Sequence, residues 1–137
     1  MTNIIIITDL DGTLLHPASY SFGDAIPALK EIHEANIPIV LCSSKTRAEI
    51  EVYRKRMNNY DPFISENGGG IFIPDGYFTN RVRDRKADDY TVTVLGKPYS
   101  IIRGVFHDIR DRTGIRVKGF GDMTPEDVAL LTGMQLS

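Results

Sequence analysis

The feature that most constrains the fold of this chain is an apolar run near its start that ends in acidic residues. Residues 4–7 are four consecutive isoleucines, and Asp9 and Asp11 follow, one residue apart, before the chain turns at Gly12. Four β-branched apolar residues in a row predict a strand buried on both faces, as in a parallel sheet. Because ligands bind at the carboxyl ends of strands in open α/β sheets, we expect both carboxylates at a binding site.

Two carboxylates at one strand end repel each other unless a cation lies between them. A hard cation such as Mg²⁺ is the expected occupant, because it prefers oxygen ligands, so Asp9 and Asp11 are the predicted metal-binding residues. The alternative is a plain surface turn, since Asp and Gly are common turn residues. That alternative leaves the run of isoleucines before the turn unexplained.

Size and charge exclude several classes of protein. A chain of 137 residues with 42% apolar residues fits one domain, or one small domain with part of another. No stretch approaches the roughly 18 apolar residues of a membrane span. With 16 basic against 18 acidic residues, the charge balance does not predict a nucleic-acid partner. The start lacks the pattern of a secretory signal, and Cys42, the single cysteine, lies in an apolar run, so we expect a reduced thiol and a cytoplasmic protein.

The spacing of apolar residues predicts an α/β fold with a partial doubly wound, Rossmann-like parallel sheet. After the first strand we expect a helix over 25–35, a strand over 37–42 and a short strand over 63–65. Thr46 and Glu49 form the pattern of a capping box, which predicts a second helix beginning at Arg47. Residues 71–73 and 77–79 flank an Asp-Gly pair, which predicts a hairpin.

A change in composition predicts a second, smaller part of the chain. We interpret the charged residues 81–89 as a linker, which gives a core domain over 1–82 and a partial α+β cap domain over 83–137. In the cap we expect a strand over 90–95, a helix over 98–113 with its apolar residues inward, and a strand over 115–118. Thr124, Pro125 and the acidic residues after them predict the start of a last helix.

Polar residues also follow the second and third predicted strands. Ser43, Ser44 and Lys45 follow the second strand, where hydroxyl groups and a compact cation suit an anionic ligand. The alternative for the serines is a simple cap at the strand end, and Lys45 is otherwise an ordinary solvated residue. Asn67 lies in a glycine-rich turn after the third strand, where it binds substrate or only forms the turn.

These motifs resemble those of a known enzyme superfamily. The sequence Asp-Leu-Asp-Gly-Thr over residues 9–13 is similar to the first motif of the haloacid-dehalogenase-like hydrolases, which are mostly phosphatases. Together with residues 43–49, residues 66–69 and the segment 119–124, it resembles the mannosyl-3-phosphoglycerate phosphatase family, whose members carry an α/β cap after the third strand. The resemblance covers essentially the whole chain. It implies Mg²⁺-dependent hydrolysis of a phosphorylated glyceroyl mannoside or a related sugar phosphate.

The chemistry of phosphate ester hydrolysis gives these residues roles. We expect Asp9 to be the nucleophile that forms an aspartyl phosphate, and Asp11 to protonate the leaving oxygen and then activate water. The main-chain N–H groups of Leu10, Gly12 and Thr13 are expected to hold the phosphoryl oxygens. The side chains of Ser43, Ser44, Lys45 and Asn67 are the further predicted phosphate or substrate ligands.

The resemblance also implies a family chain about twice this length, whose second half carries a lysine and an acidic pair of the site. The alternative function is therefore a truncated, non-catalytic portion that binds metal or phosphate, or acts through assembly. Asp122 and Asp127, with Lys97 or Lys118, could be taken for the acidic pair and the lysine. The strand before a true acidic pair should be buried and apolar throughout, whereas apolar and charged residues alternate over 115–118, as in a half-exposed strand. Without a second neighbour, the first strand forms an apolar edge. We expect either a homo-oligomer through that edge or another element that covers it.

Overall fold

The computed structural model of the chain describes residues 4–79 and 85–132. In these residues it contains six strands, four α-helices and three short 3₁₀ helices, and they form two compact units that divide after Gly96. The elements are β1 (Ile6–Thr8), α1 (Ile26–Glu34), β2 (Ile39–Cys42), α2 (Arg47–Arg56), β3 (Phe63–Ser65), β4 (Gly70–Pro74), β5 (Arg85–Ala87), β6 (Tyr90–Val94), α3 (Tyr99–Thr113) and α4 (Pro125–Thr132). None of the helices in the described part of the chain has the length and apolar character that a membrane crossing requires.

All six strands lie in one sheet, in the order β1-β2-β3-β4-β6-β5. The first three strands are parallel, with α1 and α2 as the crossover helices, and the other three strands pair antiparallel. The predicted α/β fold is therefore confirmed, and the sheet is mixed rather than wholly parallel. The carboxyl ends of β1, β2 and β3 all lie at the same edge, where the predicted site residues follow.

The predicted hairpin at residues 71–79 is wrong. β4 pairs with β6 instead, and residues 77–79 form no strand. The hydroxyl group of Tyr77 instead donates a hydrogen bond to Oδ1 of Asp61, two residues before β3, over 2.8 Å. The Asp-Gly turn therefore ends β4, but the residues directly after it do not form the paired strand. β6, further along the chain, pairs with β4 instead.

The predicted linker over 81–89 is wrong in part. Residues 85–87 form β5, which pairs with β6 at the edge of the sheet, while residues 81–84 lie outside the described residues. Edge strands commonly carry charged side chains, as linkers do, so the composition of these residues does not distinguish the two. β5 and β6 thus lie in the sheet of the first compact unit, which ends at Gly96. The predicted boundary between core and cap at residue 82 stays a prediction, as does the division of roles between them.

β1 is an edge strand of the sheet, and its isoleucines are exposed. Ile5 and Ile7 are 58% and 61% exposed, so the prediction that this strand is buried on both faces is wrong. The physical reason is that β1 has a neighbour, β2, on one side only. The expectation of an uncovered apolar edge agrees with this position, and association of two copies through that edge stays a prediction.

The first helix of the second unit is α3, which ends as predicted at Thr113 and is followed by Gly114 in the left-handed conformation, with φ of 65°. Its apolar residues Ile101, Ile102, Val105 and Ile109 are exposed, so the prediction that they point inward is wrong for all except the half-buried Phe106. Residues 115–118 form no strand, because the described part of this unit offers no strand for them to pair with.

The acidic residues of the second unit are accounted for by local structure. Asp122 accepts hydrogen bonds from Arg103 and from the Gly119 N–H group, over 2.8 and 3.1 Å. Asp127 lies in the first turn of α4 and accepts a hydrogen bond from the Thr124 N–H group over 3.3 Å. These contacts agree with the interpretation of both acids as loop and helix-cap residues rather than as a catalytic pair.

Candidate active site

The two N-terminal aspartates lie on a tight loop that follows β1. The Leu15 N–H group donates to Leu10 O over 2.8 Å, and the Gly12 N–H group donates to Leu15 O over 3.0 Å. The side chains of Leu10 and Leu15 are fully buried in the core, whereas Asp9 and Asp11 are exposed. Apolar burial on one side of the loop thus fixes the two carboxylates on the other side, at the carboxyl end of β1.

The carboxyl ends of β2 and β3 are held together by main-chain hydrogen bonds. Ser43, which is buried, donates its N–H group to Ile64 O over 3.1 Å and accepts one from Asn67 N–H over 3.0 Å. The Glu66 N–H group donates to Lys45 O over 3.0 Å, and the Lys45 N–H group donates to Ser43 Oγ over 3.3 Å. The predicted capping box of Thr46 then starts α2 immediately after Lys45.

An ion pair joins the ends of β1 and β2. Lys45 Nζ lies 3.0 Å from Asp11 Oδ1, and the Lys45 side chain is only 13% exposed. Burial lowers the pKa of Lys45, but the hydrogen bond and the charge of Asp11 raise it, and the net pKa is above the ordinary value. Lys45 is therefore held as a cation beside one of the two aspartates, as a phosphate-binding group requires.

Two aromatic rings, which the sequence did not indicate, lie against the same lysine. Lys45 Nζ is 5.3 Å from the centroid of the Tyr20 ring and 5.9 Å from that of Tyr53. Tyr53 lies three residues after the buried Ile50 on α2, so its helical spacing indicates a core-facing residue rather than a site residue, and Tyr20 carried no signal. The loop that contains Tyr20 has no periodic pattern, so only its folded conformation reveals the contact.

The structure brings some of the predicted site residues together and leaves others apart. Asp11, Ser43 and Lys45 form one connected group, and Asn67 joins it through its main chain. Asp9 Oδ1 accepts the Leu10 N–H group over 2.7 Å. The remaining predicted ligands, Ser44 and Thr13, are exposed.

The predicted main-chain cradle for the phosphate is occupied by hydrogen bonds within the loop. The Leu10 N–H group donates to Asp9, that of Gly12 to Leu15, and that of Thr13 to Leu10 O over 3.3 Å. For these three groups to bind phosphoryl oxygens, the hydrogen bonds within the loop must open. The role of the cradle stays a prediction.

The chemistry of the two aspartates fits a hard divalent cation. Mg²⁺ in proteins is commonly bound by one or two carboxylates, with water and phosphate oxygens as its other ligands. Asp9 and Asp11 are exposed carboxylates one residue apart, which is such a pair. Across residues 4–79 and 85–132, no group of three His, Cys, Asp or Glu side chains gathers as a complete protein cage for a metal.

Comparison with known proteins identifies relatives over most of this chain. The family model of the haloacid dehalogenase-like hydrolases matches residues 6–95. A glucosyl-3-phosphoglycerate/mannosyl-3-phosphoglycerate phosphatase of Methanococcoides burtonii is 47% identical over 133 residues, which are 96% of this chain and 49% of the relative. A mannosyl-3-phosphoglycerate phosphatase of Pyrococcus horikoshii is 38% identical over 95% of this chain and 52% of its own length.

A solved structure shows the same fold at lower sequence similarity. A haloalkanoate dehalogenase superfamily phosphatase of Bacteroides thetaiotaomicron is 20% identical, with a TM-score of 0.55 over 94% of this chain and 46% of its own. The chain thus spans about half the length of the curated relatives that it matches. From the family match over residues 6–95, which contain both aspartates and Lys45, we conclude that this chain belongs to the haloacid dehalogenase-like hydrolases.

Proposed function

We propose that the protein is a Mg²⁺-dependent phosphomonoester hydrolase that acts through an aspartyl phosphate on Asp9. The observation that carries the proposal is the position of Asp9 and Asp11 on one anchored loop, with Lys45 ion-paired to Asp11 over 3.0 Å. The proposed nucleophile, the proposed proton donor and the Lys45 ammonium are thus close to the adjoining ends of two parallel strands. Phosphate monoesters are among the slowest bonds to hydrolyse without a catalyst, and their cleavage needs these groups together.

In the first proposed step, a carboxylate oxygen of Asp9 attacks the phosphorus atom of the substrate. The bond between phosphorus and the ester oxygen breaks. For this step Asp11 would give up its ion pair with Lys45, take up a proton and pass that proton to the ester oxygen, so the alcohol leaves uncharged. The Lys45 ammonium, which contacts Asp11 in the structure, would be shared with a phosphoryl oxygen. The hydroxyl group of Ser43 would donate to another.

In the second proposed step, the aspartyl phosphate is hydrolysed. Asp11, now a carboxylate, takes a proton from a water molecule, and the water oxygen attacks phosphorus. The bond between phosphorus and the Asp9 oxygen breaks, which releases inorganic phosphate and restores both aspartates. One side chain thus serves as acid and then as base, and the two steps consume one water molecule.

Asp9 and Asp11 are the residues that would hold Mg²⁺. When bound, this ion supplies positive charge that offsets the repulsion between the Asp9 carboxylate and the phosphate dianion. Lys45 supplies further positive charge from the protein itself. The exposure of both aspartates leaves room for the water and phosphate oxygens that complete a magnesium site.

We further propose mannosyl-3-phosphoglycerate or a related sugar phosphate as the substrate. The support is that the relatives of Methanococcoides burtonii and Pyrococcus horikoshii, which are 47% and 38% identical over nearly all of this chain, are phosphatases of mannosyl-3-phosphoglycerate. The family resemblance implies that a cap recognises the organic part of the substrate, and we propose residues 83–137 as part of such a cap. No side chain of the described core is by itself diagnostic of a sugar.

The test is Mg²⁺-dependent release of phosphate from mannosyl-3-phosphoglycerate and from a generic aryl phosphate. We expect release by the wild type and loss of release in Asp9→Asn, which keeps the shape of the side chain and removes its nucleophilic oxygen. Equal release by the variant would contradict the role of Asp9. Mg²⁺ binding without turnover would favour the alternative function, a non-catalytic portion that binds metal and phosphate.

A further inference from the structure

We infer that Tyr20 is a positioning residue, which holds the Lys45 ammonium at the place where it meets Asp11 and the phosphate. The inference rests on the proposed function, because Lys45 acts on phosphate only if that function is right. What it adds is a role for the loop of residues 16–21, which contains none of the family-like motifs. Three observations support it. Hydrogen bonds within the loop fix its main chain, the Tyr20 ring contacts Lys45, and few other groups restrict the Lys45 side chain.

The loop of residues 16–21 is organised around His16. The His16 N–H group donates to Ser21 O over 2.8 Å, and the Tyr20 N–H group donates back to His16 O over 2.9 Å. The imidazole Nδ1 of His16 accepts N–H groups of Ala18 and Ser19, over 3.2 and 3.3 Å. These four hydrogen bonds close the loop on itself and fix the main chain at Tyr20.

Tyr20 adopts a main-chain conformation that non-glycine residues rarely take. Its φ is 53°, in the left-handed region, which costs an L-residue conformational energy. The closed loop holds Tyr20 there, and in this conformation its ring lies over Lys45 Nζ. The Tyr20 residue is nonetheless 51% exposed, so burial of the ring does not account for its placement.

The ammonium of Lys45 is held by one carboxylate and two rings. Asp11 contacts it at 3.0 Å, and the rings of Tyr20 and Tyr53 lie within the distance at which a cation is attracted to an aromatic face. A lysine side chain has four rotatable bonds, so a single ion pair leaves it several alternative positions. The two rings restrict these positions further and do not accept the strong N–H hydrogen bonds that phosphate needs.

The first test observes the contact itself. Lys45 Nζ lies over two aromatic rings, so the NMR signals of the protons on the adjacent carbon should be shifted upfield in the wild type. These signals are assigned to Lys45 because they disappear in Lys45→Arg. We expect this shift to be reduced in Tyr20→Leu and kept in Tyr20→Phe, which retains the ring. Unshifted signals in the wild type, or a full shift in Tyr20→Leu, would overturn the inference.

The second test measures what the contact does. We titrate each variant with inorganic phosphate at constant Mg²⁺, and expect Tyr20→Leu to weaken binding about two- to fivefold, the worth of one such contact. Tyr20→Phe should bind as the wild type does. Tyr60→Leu makes the same change at an exposed tyrosine outside the site and should also bind normally. Phosphate binding that is unchanged in Tyr20→Leu would overturn the inference.

Neither test depends on turnover. If the wild type binds phosphate and releases none from its substrates, the proposed function fails while the positioning of Lys45 is still measured. If the enzyme is active, Tyr20→Leu should raise KM more than it lowers kcat, because phosphate binding is affected before the chemistry of Asp9. A loss confined to kcat would contradict the role.

Discussion

Replacement of Gly12 by alanine tests whether the loop after β1 depends on one backbone conformation. Gly12 has φ of 70°, in the region that L-residues with a side chain disfavour. A Cβ atom built on Gly12 would have no other atom within 4 Å, so alanine meets no steric obstacle. The cost of Gly12→Ala is therefore the cost of the left-handed conformation alone, about 1–2 kcal/mol.

That cost is large enough to measure and has a matched control. A loss of 1–2 kcal/mol lowers the ratio of folded to unfolded protein by a factor of about 5 to 30. Gly76 has φ of 78° and equally open space around its missing Cβ, so Gly76→Ala should lose the same stability. Gly12→Asn should lose less than Gly12→Ala, because asparagine enters the left-handed region more readily.

The assay combines urea unfolding with phosphate release. Both alanine variants should unfold at lower urea concentrations than the wild type. Only Gly12→Ala should also release phosphate more slowly, because the turn at Gly12 sets the directions of Asp9 and Asp11. If Gly12→Ala is as stable as the wild type, the conformational argument is wrong. If Gly76→Ala loses release to the same extent, the effect is general instability and the loop has no special role.

Three further predictions concern parts of the fold around the site. Thr46→Ala removes the capping box of α2 and should lower the free energy of unfolding by about 1 kcal/mol in urea, with Ser retained as a working cap in Thr46→Ser. The Gly119 N–H group and the Arg103 guanidinium hold the pKa of Asp122 at about 2, below its ordinary 3.8. The ionised carboxylate therefore stabilises the fold above pH 3.8, and the urea midpoint of the wild type should fall toward that of Asp122→Asn between about pH 4 and pH 2. Ile7→Lys on the exposed edge of β1 should abolish self-association in sedimentation, with unfolding changed by less than about 0.5 kcal/mol; a wild type that is monomeric throughout would contradict the predicted edge pairing.

The elements that the sequence predicted correctly are those whose signals are local. The capping box of Thr46 and Glu49, the left-handed Gly114 and the acidic start of α4 each depend on neighbours within a few residues. Their hydrogen bonds form wherever the helix forms, so the pattern alone is enough. The same applies to the buried run of β2, whose residues 39–41 are apolar throughout.

The elements that were predicted wrongly depend on partners distant in the sequence. The turn at Asp75-Gly76 favoured a hairpin, but β4 found its partner in β6, and the charged residues 85–87 became an edge strand. The four isoleucines predicted burial, yet burial depends on a neighbour strand that β1 has on one side only. Strand pairing is decided by competition between segments, which a local pattern does not record.

The candidate site divides in the same way. The aspartates and Lys45 stand next to strand ends, so the rule for open α/β sheets located them. The contact of Tyr20 with Lys45 arises from a loop closed by His16, and no periodicity or motif marks it. The hydrogen bonds already made by the Leu10 and Gly12 N–H groups are equally invisible in the sequence.

Chemical trapping of the phosphorylated residue shows whether Asp9 is the nucleophile. The protein is mixed with substrate and Mg²⁺, quenched in acid and treated with borohydride, which reduces an acyl phosphate of aspartate to homoserine. If Asp9 is the nucleophile, homoserine forms at position 9 only when substrate is present, and none forms in Asp9→Asn. Turnover with aspartate unchanged at position 9 in every quenched sample, or homoserine at position 11 instead, would contradict that role of Asp9.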